Sequence, residues 1–268
     1  MTVTVPQGAT PGRAAYLDVK YSCAAVPYTG YPRALAHWLR DHVYGDVGRL
    51  LDLGCGRGEH LAVFAATGFD VAGVDASPRA PELARGFDVR VADLERDPLP
   101  FPRGSFDFVY SKSVVEHLRD PVALLARACE ALRPGGVAAV MTPSWAHTYW
   151  GPFYIDPTHV TPFTAPSLTT AFEMAGFTDV TVSHFYQLPA VWRVPALRLF
   201  ARLVARLPLP YRPYQRAPWP ARLNTLIRFS KEVMLLGVGR RPADALTTRG
   251  VGEPGCGSDV PVGMGPCA

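Results

Sequence analysis

Cysteine is scarce in this chain and follows no pattern that would indicate a covalent or metal-bound framework. The 268 residues contain five cysteines, an odd number, and no two of them form a C-x-x-C pair. A disulfide scaffold or a structural zinc site needs paired or closely spaced thiols, which this sequence does not supply. The distribution favours a protein of a reducing compartment.

Long apolar runs are also missing. No stretch of about 18 apolar residues could span a bilayer, and the first residues lack the apolar segment of a signal peptide. The net charge of +4 is small for a nucleic-acid-binding protein, and no RNA-binding module is recognisable. The composition, 48% hydrophobic and 19% charged, is that of a globular chain. We therefore expect a globular, cytoplasmic protein without a nucleic-acid partner.

A glycine-rich loop separates an apolar strand from a helical pattern. In Asp52-Leu-Gly-Cys-Gly-Arg-Gly58, glycine stands at every second position, so the backbone can turn sharply and a ligand can approach closely. The helix that follows offers a positive N-terminal end. The third glycine of the dinucleotide fingerprint is missing, because Glu59 stands in its place. The G-K-[ST] sequence of phosphate-binding P-loops is missing as well. The loop predicts a cofactor site of another kind.

Strand and helix patterns alternate along most of the chain. Helices with apolar residues at helical spacing separate short apolar strands, which predicts an α/β fold with a parallel sheet and helices on both faces. The predicted strands cover residues 49–53, 70–75, 87–93, 106–111, 137–141, 180–185 and 232–238.

Composition divides the chain into three parts. Residues 1–30 are predicted to form an N-terminal arm, and residues 31–241 one domain. An arginine- and proline-rich insert occupies about residues 190–230 of that domain. Residues 242–268 are rich in glycine and proline and lack periodicity, which predicts a disordered tail.

The loop and the acidic ends of the next strands resemble the motifs of class I S-adenosylmethionine-dependent methyltransferases. Asp75 ends the second strand, Asp93-Leu94 follows the third, and Leu132-Arg-Pro-Gly-Gly136 precedes the fifth. The resemblance covers about residues 30–185. It implies a Rossmann-like, doubly wound sheet of seven strands, six parallel and the last antiparallel, with the helical insert between the last two. It also implies S-adenosylmethionine as cofactor.

The same resemblance implies a set of cofactor-binding residues. The carboxylate of Asp75 is expected to accept hydrogen bonds from both ribose hydroxyls, and Asp93 to lie near the adenine amino group. Asp52 and the loop backbone are expected to hold the methionine end. The full set is Asp52, Gly54, Cys55, Gly56, Gly58, Asp75, Ala76, Asp93, Leu94 and Ser111.

Two histidines are the candidate catalytic bases. If a hydroxyl is methylated, its proton must leave, and histidine is well suited to accept it near neutral pH. His117 follows the fourth strand. His159 lies in Asp156-Pro-Thr-His-Val-Thr-Pro-Phe163, a string that resembles methyltransferases associated with bacterial glycan and cell-envelope biosynthesis. The expected catalytic residues are His159, His117 and Asp156, and no metal site is expected.

The glycan resemblance implies O-methylation of a sugar hydroxyl on a glycan, a glycolipid or a glycosylated product. Methylation of a small secondary metabolite or a quinone-like precursor is the alternative acceptor class. Two alternatives come from other classes of protein. A dinucleotide oxidoreductase is opposed by Glu59, and a non-catalytic cofactor-binding module is opposed by the intact acids at 52, 75 and 93.

The arginines of the insert allow three interpretations. Arg198, Arg202 and Arg206 recur every four residues and so share one helix face. They form a solvated face of a docked helix, or a basic surface that rests on anionic lipid, or a grip for an acidic substrate group. The second interpretation predicts peripheral membrane contact through residues 190–230.

Overall fold

The structure is a computed structural model that describes Leu17, residues 30–211 and residues 219–243. Apart from Leu17 and Gly30, the predicted N-terminal arm lies outside these residues. The predicted tail lies outside them from residue 244 onward. Both assignments stay predictions.

The described residues form one seven-stranded sheet in the order β3-β2-β1-β4-β5-β7-β6. The strands are β1 (Arg49–Leu53), β2 (Asp70–Asp75), β3 (Asp88–Val91), β4 (Phe106–Lys112), β5 (Leu132–Pro143), β6 (Thr178–Phe185) and β7 (Met234–Arg240). The pairs among β1 to β5 are parallel, and β7 runs antiparallel to both β5 and β6. The predicted sheet, with six parallel strands and an antiparallel last strand, is confirmed.

The central strand β1 is buried on both faces, as its apolar sequence predicts. Side chains alternate along a strand, so Leu50 packs on one face with Phe64, while Leu51 and Leu53 pack on the other. The strand order reverses between β1 and β4, and Leu53 pairs with both Val74 of β2 and Ser111 of β4. The carboxyl ends of three strands therefore meet at the place where such sheets bind ligands.

Helices cover both faces and form the insert. They are α1 (Gly30–Leu39), which continues as a π-helical segment (Arg40–Tyr44), α2 (Glu59–Ala66), α3 (Ala80–Leu83), α4 (Pro121–Ala131), α5 (Trp145–Thr148), α6 (Ala165–Met174), α7 (Pro189–Arg193), α8 (Leu197–Arg206) and α9 (Ala221–Lys231), with 3₁₀ turns at Val115–His117 and Pro152–Ile155. In the described part of the chain, none of them combines the length and the apolarity needed to cross a bilayer. The predicted insert is helical and lies between β6 and β7.

Helix α3 begins later than the sequence suggests. The pair Ser77-Pro78 is typical of a helix start, yet α3 begins at Ala80. Ser77 is fully buried, and its backbone N–H donates to Asp75 Oδ1 at 2.8 Å. The residue is therefore part of the turn that holds Asp75, and the helix starts only after that turn.

Candidate active site

A cavity of about 380 Å³ opens at the carboxyl ends of β1, β2 and β4. Its walls come from the glycine loop, from α1 and from the segments that follow β2, β3 and β4. The lining residues are Leu17, Tyr31, Pro32, Gly54, Cys55, Gly56, Arg57, Glu59, His60, Asp75, Ala76, Asp93, Leu94, Lys112, Ser113, Val114, His117, Leu118 and Thr158. Eight residues expected from the sequence thus come together here: Gly54, Cys55, Gly56, Asp75, Ala76, Asp93, Leu94 and His117. Asp52, Gly58, Ser111, Asp156 and His159 do not line the cavity.

The loop conformation requires glycine. The φ angle is +79° at Gly54, +55° at Gly56 and +79° at Gly58, in the left-handed region that other residues rarely adopt. A Cβ at Gly54 would lie 2.3 Å from Val114 Cγ2, and a Cβ at Gly58 would lie 2.5 Å from Ala84 Cβ. Gly58 therefore allows the loop to pack against the end of α3, whereas Gly54 and Gly56 keep the cavity wall free of side chains.

Asp75 is held in place by the backbone of two neighbouring turns. Its Oδ2 accepts the N–H of Gly56 and its Oδ1 accepts the N–H of Ser77, both at 2.8 Å. Burial raises the pKa of Asp75, and these two hydrogen bonds oppose the rise. The carboxyl group is thus fixed at the cavity wall, with its remaining lone pairs available for further donors.

Asp93 is fixed in a similar way at the end of β3. Its Oδ1 accepts the N–H of Glu95 at 3.0 Å, and its own N–H donates to Asp97 Oδ2 at 2.8 Å. Leu94 follows it along the same wall. The wall beyond β3 therefore offers a carboxyl group next to an apolar side chain.

Asp52 and Ser111 lie beneath the cavity wall. Asp52 is buried, and its Oδ2 has no hydrogen-bond partner among the described residues. Burial, with a smaller contribution from the charge of Asp75, raises the pKa of Asp52 to about 8. The Ser111 hydroxyl donates to the carbonyl oxygen of Leu53 at 3.1 Å within the sheet. Ser111 is thus bonded to the end of β1, directly before the glycine loop, and Asp52 lies in the interior rather than in the cavity lining.

Cys55 lies between the cavity and the sheet. Its side chain packs against β2, where a Cβ at Gly73 would lie 2.7 Å from the Cys55 sulfur. Burial, the largest cause, and two nearby carboxyl groups raise the pKa of the thiol. The thiol is therefore neutral and serves as packing.

A series of hydrogen bonds links His117 to Thr158 and Asp156. The Thr158 hydroxyl donates to Asp156 Oδ1 at 2.5 Å, and its oxygen lies 2.8 Å from His117 Nδ1. Because the threonine proton points to Asp156, the threonine oxygen accepts and His117 Nδ1 donates. The network thereby places a proton on Nδ1 of His117, the histidine that lines the cavity.

His159 packs against His117 outside the cavity lining. The two ring centroids are 4.6 Å apart in an edge-to-face arrangement. His159 Nδ1 donates to the carbonyl oxygen of Phe153 at 2.6 Å. The histidine that the sequence favoured most is therefore a neighbour of the one that reaches the cavity.

Glu116 is fully buried beside these two rings. Its Oε2 accepts the Thr142 hydroxyl at 2.9 Å, and its Oε1 has no hydrogen-bond partner within the described ranges. Burial raises the pKa of this carboxyl group to about 7. Its backbone carbonyl accepts the N–H groups of Val160 and Thr161 at 2.9 and 3.0 Å. The loop that carries His159 is thus tied to the end of β4.

The same three side chains could hold a divalent cation. One ligand atom each from Glu116, His117 and His159 lies within 4.8 Å of the others. Two imidazoles and a carboxylate are a common ligand set for divalent transition metals. No metal site was expected from the sequence, because no ligand spacing demands one. Glu116 and His117 are adjacent in the chain, and the fold brings His159 to them.

Lys112, Tyr31 and His60 are among the cavity residues that the expected cofactor-binding and catalytic sets did not include. Lys112 has its amino group 5.8 Å from the Tyr31 ring centroid, and burial lowers its pKa. The buried hydroxyl of Tyr31 has no hydrogen-bond partner in the described structure. Burial lowers the pKa of His60 to about 3, so this imidazole stays neutral. All three lie within about residues 30–185, the part of the chain that the family resemblance covered.

The buried carboxyl groups predict a pH-dependent stability. In the unfolded chain the pKa values of Asp52 and Glu116 return to about 4. The folded state therefore keeps protons that the unfolded state has released, and stability falls as the pH rises from about 4 to about 8. We expect Asp52→Asn to reduce this fall by about 1–3 kcal/mol, measured by urea unfolding of the ligand-free protein at several pH values.

Asp70→Asn is the matched control for that measurement. Asp70 lies at the opposite end of β2, and its side chain is 77% exposed. The control variant should keep the wild-type slope of stability against pH. An Asp52→Asn variant with the wild-type slope would show that Asp52 is ionised in the folded protein.

Comparison with known proteins identifies the family. A family model described as a methyltransferase domain matches residues 30–182, more than half of the chain. The chain belongs to this methyltransferase family. The expected class I superfamily, the enzyme class and S-adenosylmethionine as cofactor are thereby confirmed.

Two curated relatives resemble part of the methyltransferase. It is 38% identical over 100 residues to a ubiquinone biosynthesis O-methyltransferase from Cereibacter sphaeroides, covering 35% of this chain and 40% of that one. It is 41% identical over 103 residues to a trans-aconitate 2-methyltransferase from Deinococcus radiodurans, covering 36% and 38%. The matches thus span about two fifths of each relative's length.

Among solved structures, a SAM-dependent methyltransferase from Archaeoglobus fulgidus shares the fold, with a TM-score of 0.54 and 21% identity over 78% of this chain and 94% of that one.

Proposed function

We propose that this methyltransferase methylates a hydroxyl oxygen of a small-molecule acceptor, with His117 as the catalytic base. The proposal rests on the position of His117, which lines the cavity while Thr158 and Asp156 hold its Nδ1 side. A neutral imidazole protonated at Nδ1 has its lone pair on Nε2. That atom is the proton acceptor, and Asp156 is a positioning residue that acts through Thr158.

The cavity fits S-adenosylmethionine in charge and in shape. The Asp75 carboxyl group is fixed at the wall and can accept from a ribose diol. Asp93 and Leu94 match the polar edge and the apolar face of an adenine. Gly54 and Gly56 leave room for the amino-acid end. Gly58, Asp52 and Ser111 support this wall from beneath, so we assign them a structural role in cofactor binding.

Methyl transfer needs alignment and removal of one proton. When bound, the cofactor supplies a methyl group on a sulfonium, which departs as a neutral thioether. The acceptor oxygen forms the new bond to carbon, and its proton passes to His117 Nε2. Thr158 and Asp156 stabilise the imidazolium that results. Its Nδ1–H stays hydrogen-bonded to the Thr158 hydroxyl oxygen, and that hydroxyl in turn donates to the Asp156 carboxylate.

The cavity lining includes apolar and aromatic side chains. Leu17, Tyr31, Pro32 and Leu118 are among them, which suits an acceptor with an apolar or aromatic part. The similarity to a ubiquinone biosynthesis O-methyltransferase supports a small molecule over a glycan. The glycan acceptor that the sequence analysis preferred is therefore the second candidate, and only its loop resemblance supports it.

A panel assay tests the acceptor class. The protein is incubated with S-adenosylmethionine that carries a deuterated methyl group, together with phenolic compounds, small carboxylic acids or oligosaccharides. Mass spectrometry then locates the transferred label. We expect label on phenolic hydroxyl groups. Transfer to oligosaccharides alone would establish the glycan candidate, and transfer to carboxylic acids alone would contradict hydroxyl methylation.

A further inference from the structure

A second cavity, also about 380 Å³, lies between the insert and the far end of the sheet. His147 of α5 and His184 of β6 form one side of it. Arg202 and Arg206 of α8 form the other side, and Ser230 of α9 closes the base. None of these residues lines the methyl-transfer cavity, so the methyltransferase has a second concave site built from four separate elements.

Apart from Tyr186, the ionisable residues that line this second cavity are all basic. The rings of His147 and His184 are 4.8 Å apart. Burial lowers the pKa of both imidazoles, and the nearby charge of Arg202 adds to the effect. Arg202 and Arg206 make no ion pair with a described carboxylate. A bound anion would relieve this concentration of positive charge.

Ser230 gives an independent indication of a ligand. Its side chain is fully buried, and its hydroxyl has no hydrogen-bond partner within the part of the chain that the structure describes. A buried hydroxyl without a partner destabilises the protein, because it has lost its hydrogen bonds to water. An anionic oxygen in the cavity would accept a hydrogen bond from this hydroxyl, and further hydrogen bonds from the two guanidinium groups.

One exposed side of α8 is apolar. The helix packs on the domain through Ala201 and Val204, which are buried. At 100° per residue, the arginines share one exposed side of the helix, and Leu199, Phe200 and Leu203 form the exposed side next to it. These three side chains are 65%, 50% and 51% exposed. An exposed apolar stripe bordered by arginines is typical of helices that lie in a membrane interface.

We propose that the second cavity binds the phosphate group of an anionic phospholipid, while Leu199, Phe200 and Leu203 insert into the same membrane surface. The arginines provide the charge complementarity, and the apolar side of α8 distinguishes a lipid from a free phosphorylated molecule. The site would hold the methyltransferase on a membrane without a spanning segment. It does not depend on the acceptor assigned to the first cavity.

Vesicle co-sedimentation tests the site. The full chain is mixed with phosphatidylcholine vesicles, with or without phosphatidylglycerol, and we expect it to sediment only with the anionic ones. A basic residue near an anionic surface accounts for about fivefold in partitioning. The double variant Arg202→Gln/Arg206→Gln should therefore bind about thirtyfold more weakly. Arg222→Gln, at an exposed position on α9, is the control, and its vesicle binding should weaken by less than about fivefold.

A second variant and a soluble ligand separate the sources of phosphate. Leu199→Ser/Leu203→Ser should weaken vesicle binding and leave S-adenosylmethionine binding unchanged, which also verifies the fold. Glycerol 1-phosphate is titrated by calorimetry as the free source. Binding of glycerol phosphate without vesicle binding would overturn the lipid assignment. Equal binding to neutral vesicles, or a double variant that binds like wild type, would overturn the role of the cavity.

Discussion

Replacing Asp75 with asparagine is expected to weaken S-adenosylmethionine binding about 100-fold while the fold is retained. The carboxylate accepts one backbone N–H on each oxygen, from Gly56 and Ser77. Asparagine has one accepting oxygen, so its amide N–H₂ would face one of those donors. The ribose diol would also lose a charged acceptor. Charged hydrogen bonds contribute about 1.5–3 kcal/mol each, and calorimetric titration measures the loss.

The control for Asp75 is Asp70→Asn at the other end of the same strand. It removes an acid from β2 without touching the cavity, so the dissociation constant should stay within about twofold of wild type. Circular dichroism verifies that both variants fold. If Asp75→Asn bound the cofactor as tightly as wild type, the proposed contact between this carboxylate and the ribose would be wrong.

The centre of the sheet could be predicted from the sequence because β1, β2 and β4 are short and largely buried. The predicted bounds of the first two strands, Arg49–Leu53 and Asp70–Asp75, match the structure. Each consists of apolar residues that end in or next to an acid, so the ends are marked. Since the ends of parallel strands converge, the position of the cofactor loop and of Asp75 followed as well.

Side-chain direction at the end of β4 could not be predicted. Successive residues of a strand point to opposite faces, and the sequence alone does not reveal which of two neighbours points to the cavity. Ser111 was selected, yet its hydroxyl bonds to Leu53 inside the sheet, while Lys112 lines the cavity. A shift of one residue reverses this assignment.

The relative placement of the two histidines could not be predicted either. His159 lies in a loop without periodicity, and the contacts that position this loop include backbone hydrogen bonds from Val160 and Thr161 to the carbonyl of Glu116. Backbone contacts leave no signature in the residue types. The sequence therefore identified both histidines as candidates and did not indicate that His117 is the one at the cavity.

Substitution of His117 should have the largest effect on turnover. Asparagine can donate to Thr158 in place of Nδ1, but it has no basic nitrogen. We expect His117→Asn to lower kcat by about 100-fold to 10,000-fold, with a cofactor dissociation constant within about threefold of wild type. Thr158→Val, which cuts the link to Asp156, should lower kcat about tenfold. Steady-state kinetics with the acceptor found in the panel assay measures both.

Thr161→Val is the matched control, because this threonine lies in the same loop as Thr158. Its hydroxyl donates to the Leu118 carbonyl and takes no part in the hydrogen bonds that link His117, Thr158 and Asp156. Its kcat should stay within about threefold of wild type, since the proton path is intact.

A chelator adds the decisive comparison, because Glu116, His117 and His159 also form a possible cation site. If dialysis against EDTA removes the activity of the wild type and a divalent metal restores it, His117 acts as a metal ligand and the base assignment fails. If activity survives the chelator and falls only in His117→Asn and Thr158→Val, the proton path through Nε2 is the simplest account of both results.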